Sequence, residues 1–256
     1  MEEKLKAFER LLNIMDDLRE KCPWDKKQTI ESLRHLTIEE TYELSDAILK
    51  NSSEELKKEL GDILLHIVFY ARIASETNAF NIADVMNSLC DKLIFRHPHI
   101  YGDVKVNNED DVKQNWEKLK QKEKGGNTSV LSGVPNSMPA LLKAYRIQEK
   151  ARAVGFDWDQ PEQVFEKVRE EIEELNTEVK KGNILKIEDE FGDVLFALIN
   201  YGRFINVNAE DALERTNKKF IKRFNYMEEK IKAQGKQLAD CTLAEMDVFW
   251  NEAKKL

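Results

Sequence analysis

One ordered set of polar positions occurs twice in this chain. Glu39-Glu40-Thr41-Tyr42-Glu43, followed by Glu59-Leu60-Gly61-Asp62, is matched by Glu170-Glu171-Ile172-Glu173-Glu174, followed by Glu190-Phe191-Gly192-Asp193. The separation is the same in both, from 40 to 62 and from 171 to 193. Downstream, Lys92 and Arg96 parallel Lys219 and Arg223, and Trp116 with Lys120 parallels Trp250 with Lys254; upstream, Trp24-Asp25 parallels Trp158-Asp159. A duplication of this kind requires one structural unit made twice. Between the copies, Gly125, Gly126, Gly133, Pro135 and Pro139 lie among Asn, Ser and Thr, the composition of a linker. The expected organisation is a first domain over 1–123, a linker over 124–138 and a second domain over 139–256.

The repeated unit reads as helical. Apolar residues recur three or four apart in Leu5, Phe8, Leu11, Leu12, Met15 and Leu18, then around Ile38, Tyr42, Leu44, Ala47 and Ile48. Further helices are expected from Leu56 to about Ser75, from Ile82 through Leu89, and around Val112, Trp116 and Leu119. The second copy predicts helices near 139–152, 162–180, 184–205, 209–233 and 243–254. Almost no alternating strand pattern is present, and no proline interrupts a long periodic stretch. The fold class expected is all-α, with two tandem domains.

Composition excludes several functions. The apolar run from Ile63 to Ala71 is broken by His66 and falls far short of the roughly 20 residues that span a bilayer. No basic-then-apolar leader opens the sequence. Cys22, Cys90 and Cys241 are odd in number and form no CxxC pair, which fits a reducing cytoplasmic setting and argues against a disulfide framework or structural zinc. The net charge is −8 and no dense Lys/Arg block appears, so neither nucleic acid nor membrane is an expected partner. No GxxxxGK[ST] loop is present.

The repeated carboxylates carry the chemistry. Glu40 and Glu43 are three apart on one helix and share a face, as do Glu59 and Asp62 on the next. Ser52-Ser53 reads as a short connection and a new N-cap, so the two helices should pack antiparallel and bring four carboxylates together. Such crowding is costly unless a cation neutralises it. All-oxygen ligation favours Mg²⁺, with Mn²⁺ as substitute. A single ExxE is usually a solvated face; its recurrence, followed each time by ExxD, favours metal. A di-iron bundle needs ExxH on two helices, and no histidine stands three after a paired glutamate. Lys219 and Arg223, four apart, can face one anion. Trp250 beside Lys254 suits either core packing or base stacking near a phosphate. His97-Pro98-His99 reads as a helix-ending turn, and His35 and His66 as ordinary helix residues.

The order EExxE, ExxD, Lys-x-x-x-Arg and Trp-x-x-x-Lys resembles the MazG family of nucleoside triphosphate pyrophosphohydrolases. Cys22-Pro23-Trp24-Asp25, Arg96-His97-Pro98-His99 and Val154-Gly155-Phe156-Asp157-Trp158 are similar to stretches of its two-domain members. The resemblance implies helical-bundle domains, a homodimer, Mg²⁺, and conversion of NTP or dNTP, with broad base specificity, to NMP and pyrophosphate. It implies Glu171, Glu174, Glu190 and Asp193 as metal ligands, and Lys167, Glu170, Lys186, Lys219, Arg223, Trp250 and Lys254 as the nucleotide site. The first-domain counterparts are Glu40, Glu43, Glu59 and Asp62, with Lys92, Arg96, Trp116 and Lys120. Glu170 or Glu171 is the expected proton acceptor.

The copies are not equivalent. Aligning the quartets sets Leu36 opposite Lys167 and Glu55 opposite Lys186, so the second domain is expected to carry most of the activity, although Lys57 and Lys58 lie near enough to reach inward. A related enzyme specialised for one nucleotide, such as dUTP, shares the quartet and stays open. A helical binding module with catalysis lost is the other alternative, and the intact carboxylates in both copies argue against it.

Overall fold

A computed structural model of the chain describes residues 1–106, 108, 111–112, 115–116, 119–120 and 129–255. The described residues are helical throughout their regular structure and contain no strand. Two compact units, Met1–Lys105 and Val106–Leu256, divide the chain. This division lies upstream of the expected boundary at 123. It assigns Trp116 and Lys120, both on helical residues, to the second unit. Part of the expected linker, 124–128, lies outside the described residues.

In the first unit, α1 is Glu2–Lys21, α2 Ile30–Leu49, α3 Ser53–Ser75, α4 Ile82–Arg96, and a short α5 Pro98–Tyr101. Helix α2 begins well before Ile38. Thr29 and Ser32 form a reciprocal capping box that fixes its first turn, and Leu33 and Leu36 carry its apolar face into the core. Met15 of α1, Leu33 of α2, and Val68 and Phe69 of α3 make the buried centre, with Phe8, Leu11, Leu12 and Leu65 packed against it. Burial of this apolar set holds α2 and α3 side by side, at about 25 cal/mol for each Å² removed from water. Arg19 adds a forked pair of bonds to Glu76 at 2.7 and 2.9 Å, tying the end of α1 to that of α3. As expected, the chain leaves α4 at His97 and turns at Pro98.

In the second unit, α6 is Ala140–Ala153, α7 Pro161–Lys181, α8 Ile184–Phe204, α9 Ala209–Ala233 and α10 Leu243–Ala253. These bounds lie within two residues of those read from periodicity. Val164 and Val168 of α7, Val194, Ala197 and Ile199 of α8, and Met227 and Ile231 of α9 are buried. Gln148 of α6 donates to the Phe196 carbonyl of α8 at 2.8 Å. No helix among the described residues is long and apolar enough to cross a membrane.

The two helix pairs that position the carboxylates, α2 with α3 and α7 with α8, are built alike. Each closes through a residue of positive φ, Asn51 (54°) and Gly182 (72°), and each second helix opens on a capping side chain at the equivalent position. Ser52 accepts from the Glu55 N–H and Asn183 from the Lys186 N–H. So short a connection makes each pair antiparallel.

Candidate metal and nucleotide site

Periodicity and hairpin geometry bring together three of the four expected carboxylates in each unit. Glu40 and Glu43 of α2 and Glu59 of α3 each offer an oxygen within 4.8 Å of the others, and so do Glu171 and Glu174 of α7 with Glu190 of α8. Asp62 and Asp193 stand outside these tight groups, one helical turn beyond Glu59 and Glu190. Their charges are nonetheless felt. Burial and then the carboxylates of Asp62, Glu43 and Glu59 push the Glu40 carboxyl above its usual range. Burial and then Glu174, Asp193, Glu171 and Glu178 do the same to Glu190. Crowding by like charge thus disfavours the ionised form of Glu40 and of Glu190.

The donors suit a hard divalent ion. Every candidate donor is a carboxylate oxygen, and Glu59, only 6% exposed, has an Oε2 that is buried and without a hydrogen-bond partner. An orphaned carboxylate oxygen in that position is costly unless a cation meets it. The residues present fit Mg²⁺ or Mn²⁺.

Each cluster already holds one ammonium, delivered from opposite helices. In the second unit, Lys167 of α7 lies 2.8 Å from both Glu170 and Glu171. Its hydrogen bond to Glu170, then that to Glu171, raises its pKa far above the ordinary lysine value. In the first unit, Lys58 of α3 lies 3.0 Å from Glu59 and 3.7 Å from Asp62, whereas Lys57 turns away to Glu54.

The remaining expected nucleotide residues are not gathered onto the carboxylates. Lys186 is exposed on α8, where its charge helps to depress the Glu178 carboxyl, after a leading hydrogen bond from Lys181. Lys219 and Arg223 lie one turn apart on α9 and make no ion pair among the described residues. Trp250 of α10 packs on Phe220 of α9, with ring centroids 5.0 Å apart and planes at 58°. The packing role weighed for it is thus real, and its side chain is half-buried. Lys254 bonds Asn251 at 2.9 Å. In the first unit, Lys92 is exposed and Arg96 buried on α4. His66 Nδ1 lies 2.9 Å from the Thr37 hydroxyl, which is also 2.6 Å from the Tyr70 hydroxyl.

Sequence reasoning missed Glu178. It follows Glu174 by one turn on the same face of α7, is 8% exposed, and has an Oε2 with no partner while Lys181 donates to its other oxygen at 2.6 Å. Its signal was the spacing 171, 174, 178, which continues the carboxylate face. Its equivalent in the first repeat is Ala47, which is buried.

The model of the MazG nucleotide pyrophosphohydrolase domain matches the chain twice, over residues 28–101 and 159–227. The chain belongs to this family. Both matches contain a complete carboxylate quartet. Among relatives of the MazG type, the nucleoside triphosphate pyrophosphohydrolase/pyrophosphatase MazG of Thermotoga maritima is 47% identical over 250 residues, covering 96% of this chain and 95% of that protein. The nucleoside triphosphate pyrophosphohydrolase of Escherichia coli is 39% identical over 258 residues, covering 98% of each. The uncharacterised protein YabN of Bacillus subtilis is 45% identical over 262 residues, which are 99% of this chain and 53% of that one. A crystal structure of a MazG-related protein from Thermotoga maritima aligns with 44% of this chain at 28% identity and a TM-score of 0.39.

Proposed function

We propose that this chain hydrolyses nucleoside triphosphates to the monophosphate and pyrophosphate in a Mg²⁺-dependent reaction, with little selection for the base and with the second repeat as the main catalyst. The observation that carries this reading is the carboxylate cluster of Glu171, Glu174 and Glu190, closed within 4.8 Å beside Lys167 in a member of the MazG family.

When bound at the carboxylates, Mg²⁺ lowers the pKa of a coordinated water and withdraws charge from the phosphates. The protein's residues do the rest. Glu171, Glu174 and Glu190 would hold the ion, with Asp193 one helical turn beyond Glu190 to complete the set. Glu170, exposed and oriented by Lys167, accepts the proton of the water that attacks the α-phosphorus. The bond from that phosphorus to the bridging oxygen breaks, and pyrophosphate leaves with the bonding pair. Lys167, Lys186, Lys219 and Arg223 supply the positive charge that the departing pyrophosphate needs. Trp250, half-buried on α10, stacks on the base, a contact that any base accepts. Homodimer formation and a cytoplasmic setting belong to the same reading, the latter resting on three free cysteines.

The test is product analysis. Purified protein with Mg²⁺ and a panel of NTPs and dNTPs is expected to release NMP and pyrophosphate, to stop with EDTA, and to vary by about tenfold or less in kcat/KM between bases, equivalent to about 1.4 kcal/mol of lost contact. Orthophosphate and NDP as first products contradict the bond assignment. A preference of many thousandfold for one base supports the specialised enzyme.

A further inference from the structure

With the quartets aligned, the first repeat lacks both lysines of the second: Leu36 stands for Lys167 and Glu55 for Lys186. Glu55, the anion at the second of these places, is neutralised by Lys50 at 2.9 Å. The ammonium missing from α2 comes instead from Lys58 on α3, whose counterpart in the second repeat is Asp189. Its partners differ as well. Lys167 bonds Glu170, outside the metal quartet, as well as Glu171. Lys58 bonds Glu59 and forms a longer ion pair with Asp62, two members of the quartet itself.

An ammonium and a dication compete for the same oxygens. The side chain of Lys58 is 66% exposed, so little packing holds it there, and its four-carbon stem can swing outward. A metal ion at Glu59 would repel it, and the phosphate chain of the incoming ligand would then offer it a new anion.

We propose that Lys58 is the phosphate-binding cation of the first repeat: it rests on Glu59 and Asp62 until those carboxylates take a divalent ion, and then turns to the polyphosphate of the bound nucleotide. Lys58 thereby substitutes, from the opposite helix, for the lysines that the first repeat lacks. The proposal rests on reading the quartets as metal sites, and its test separates the two.

The test uses the full chain with the second site closed by Glu171→Gln and Glu190→Gln. Mn²⁺ binding is followed by electron paramagnetic resonance, and binding of α,β-methylene-ATP, which resists cleavage at the relevant bond, is measured at saturating Mn²⁺. Adding Lys58→Gln is expected to tighten Mn²⁺ by about three- to tenfold, in the absence of nucleotide, and to weaken the nucleotide analogue by about tenfold. Lys58→Arg is expected to keep the parent behaviour in the nucleotide arm. A structural role for Lys58 moves both affinities in one direction. Both weakened, or either unchanged, overturns the proposal while the metal reading stands. No Mn²⁺ bound by the parent or by either variant overturns the metal reading of the first quartet and this proposal with it.

Discussion

At the scale of single residues, the two repeats differ less in their carboxylates than in the cations around them. Glu40 and Glu190 are both pushed toward the protonated form, by burial first and by neighbouring carboxylates next, a crowding that a divalent ion would relieve. Lys167 remains bonded to Glu170 even if Glu171 turns to metal, and thus offers standing positive charge to an incoming triphosphate. Among the described residues, the first repeat brings one ammonium to its carboxylates, that of Lys58, which rests on Glu59 and Asp62. Glu190→Gln is therefore expected to lower kcat by about a hundredfold or more, while Glu59→Gln leaves most of the turnover. Steady-state assays at saturating Mg²⁺, with circular dichroism to confirm folding, read the difference. A larger loss from Glu59→Gln makes the first repeat the main catalyst.

At the scale of elements, the site depends on how tightly each helix pair is closed. Asn51 and Gly182 occupy equivalent places and both adopt a left-handed backbone, one residue before the caps Ser52 and Asn183. Asparagine tolerates this region; alanine does not. Nothing lies within 4 Å of a Cβ added at Gly182, so Gly182→Ala adds backbone strain without a clash. It is expected to destabilise the second unit by about 1 kcal/mol, seen as a lower urea midpoint with an unchanged slope. A midpoint at or above that of the parent shows that the left-handed turn is not what holds α7 to α8. Activity is expected to fall as well, because Glu190 reaches Glu171 and Glu174 only across this hairpin.

At the scale of the whole molecule, the repeat leaves the same apolar stripe uncovered twice. Leu60, Leu64 and Ile67 run along α3, and Phe191, Leu195 and Leu198 occupy the equivalent positions on α8, each at least 38% exposed. These residues lie next to Glu59, Asp62, Glu190 and Asp193 in sequence but on another face of the same helices. Exposed large apolar side chains in regular array mark a surface awaiting a partner, and a second copy of the chain is the partner the family resemblance implies. Light scattering after size exclusion is expected to give twice the chain mass, and Leu64→Glu with Leu195→Glu to halve it. A monomeric parent removes the homodimer.

The duplication, the helical class and the spacing of the carboxylates were all legible in the sequence. Spacings of three and four decide which residues share a helix face, and that geometry is local. Helix ends of the second unit were legible for the same reason, since Asn183, Asn208 and Thr242 cap by contacts within one turn. The early start of α2 escaped because Thr29 and Ser32 cap it weakly in composition and strongly only in geometry. Only the tertiary structure decided that Asp62 and Asp193 stand apart from the tight clusters, that Glu178 is buried with an orphaned oxygen, and that Lys58 and Lys167 reach the carboxylates from opposite helices. Long side chains choose among several nearby anions. That choice depends on distances across the helix pair, which packing of buried residues such as Leu33 and Val68 fixes in the first repeat and Val168 and Val194 in the second, and which no pattern along a single helix contains.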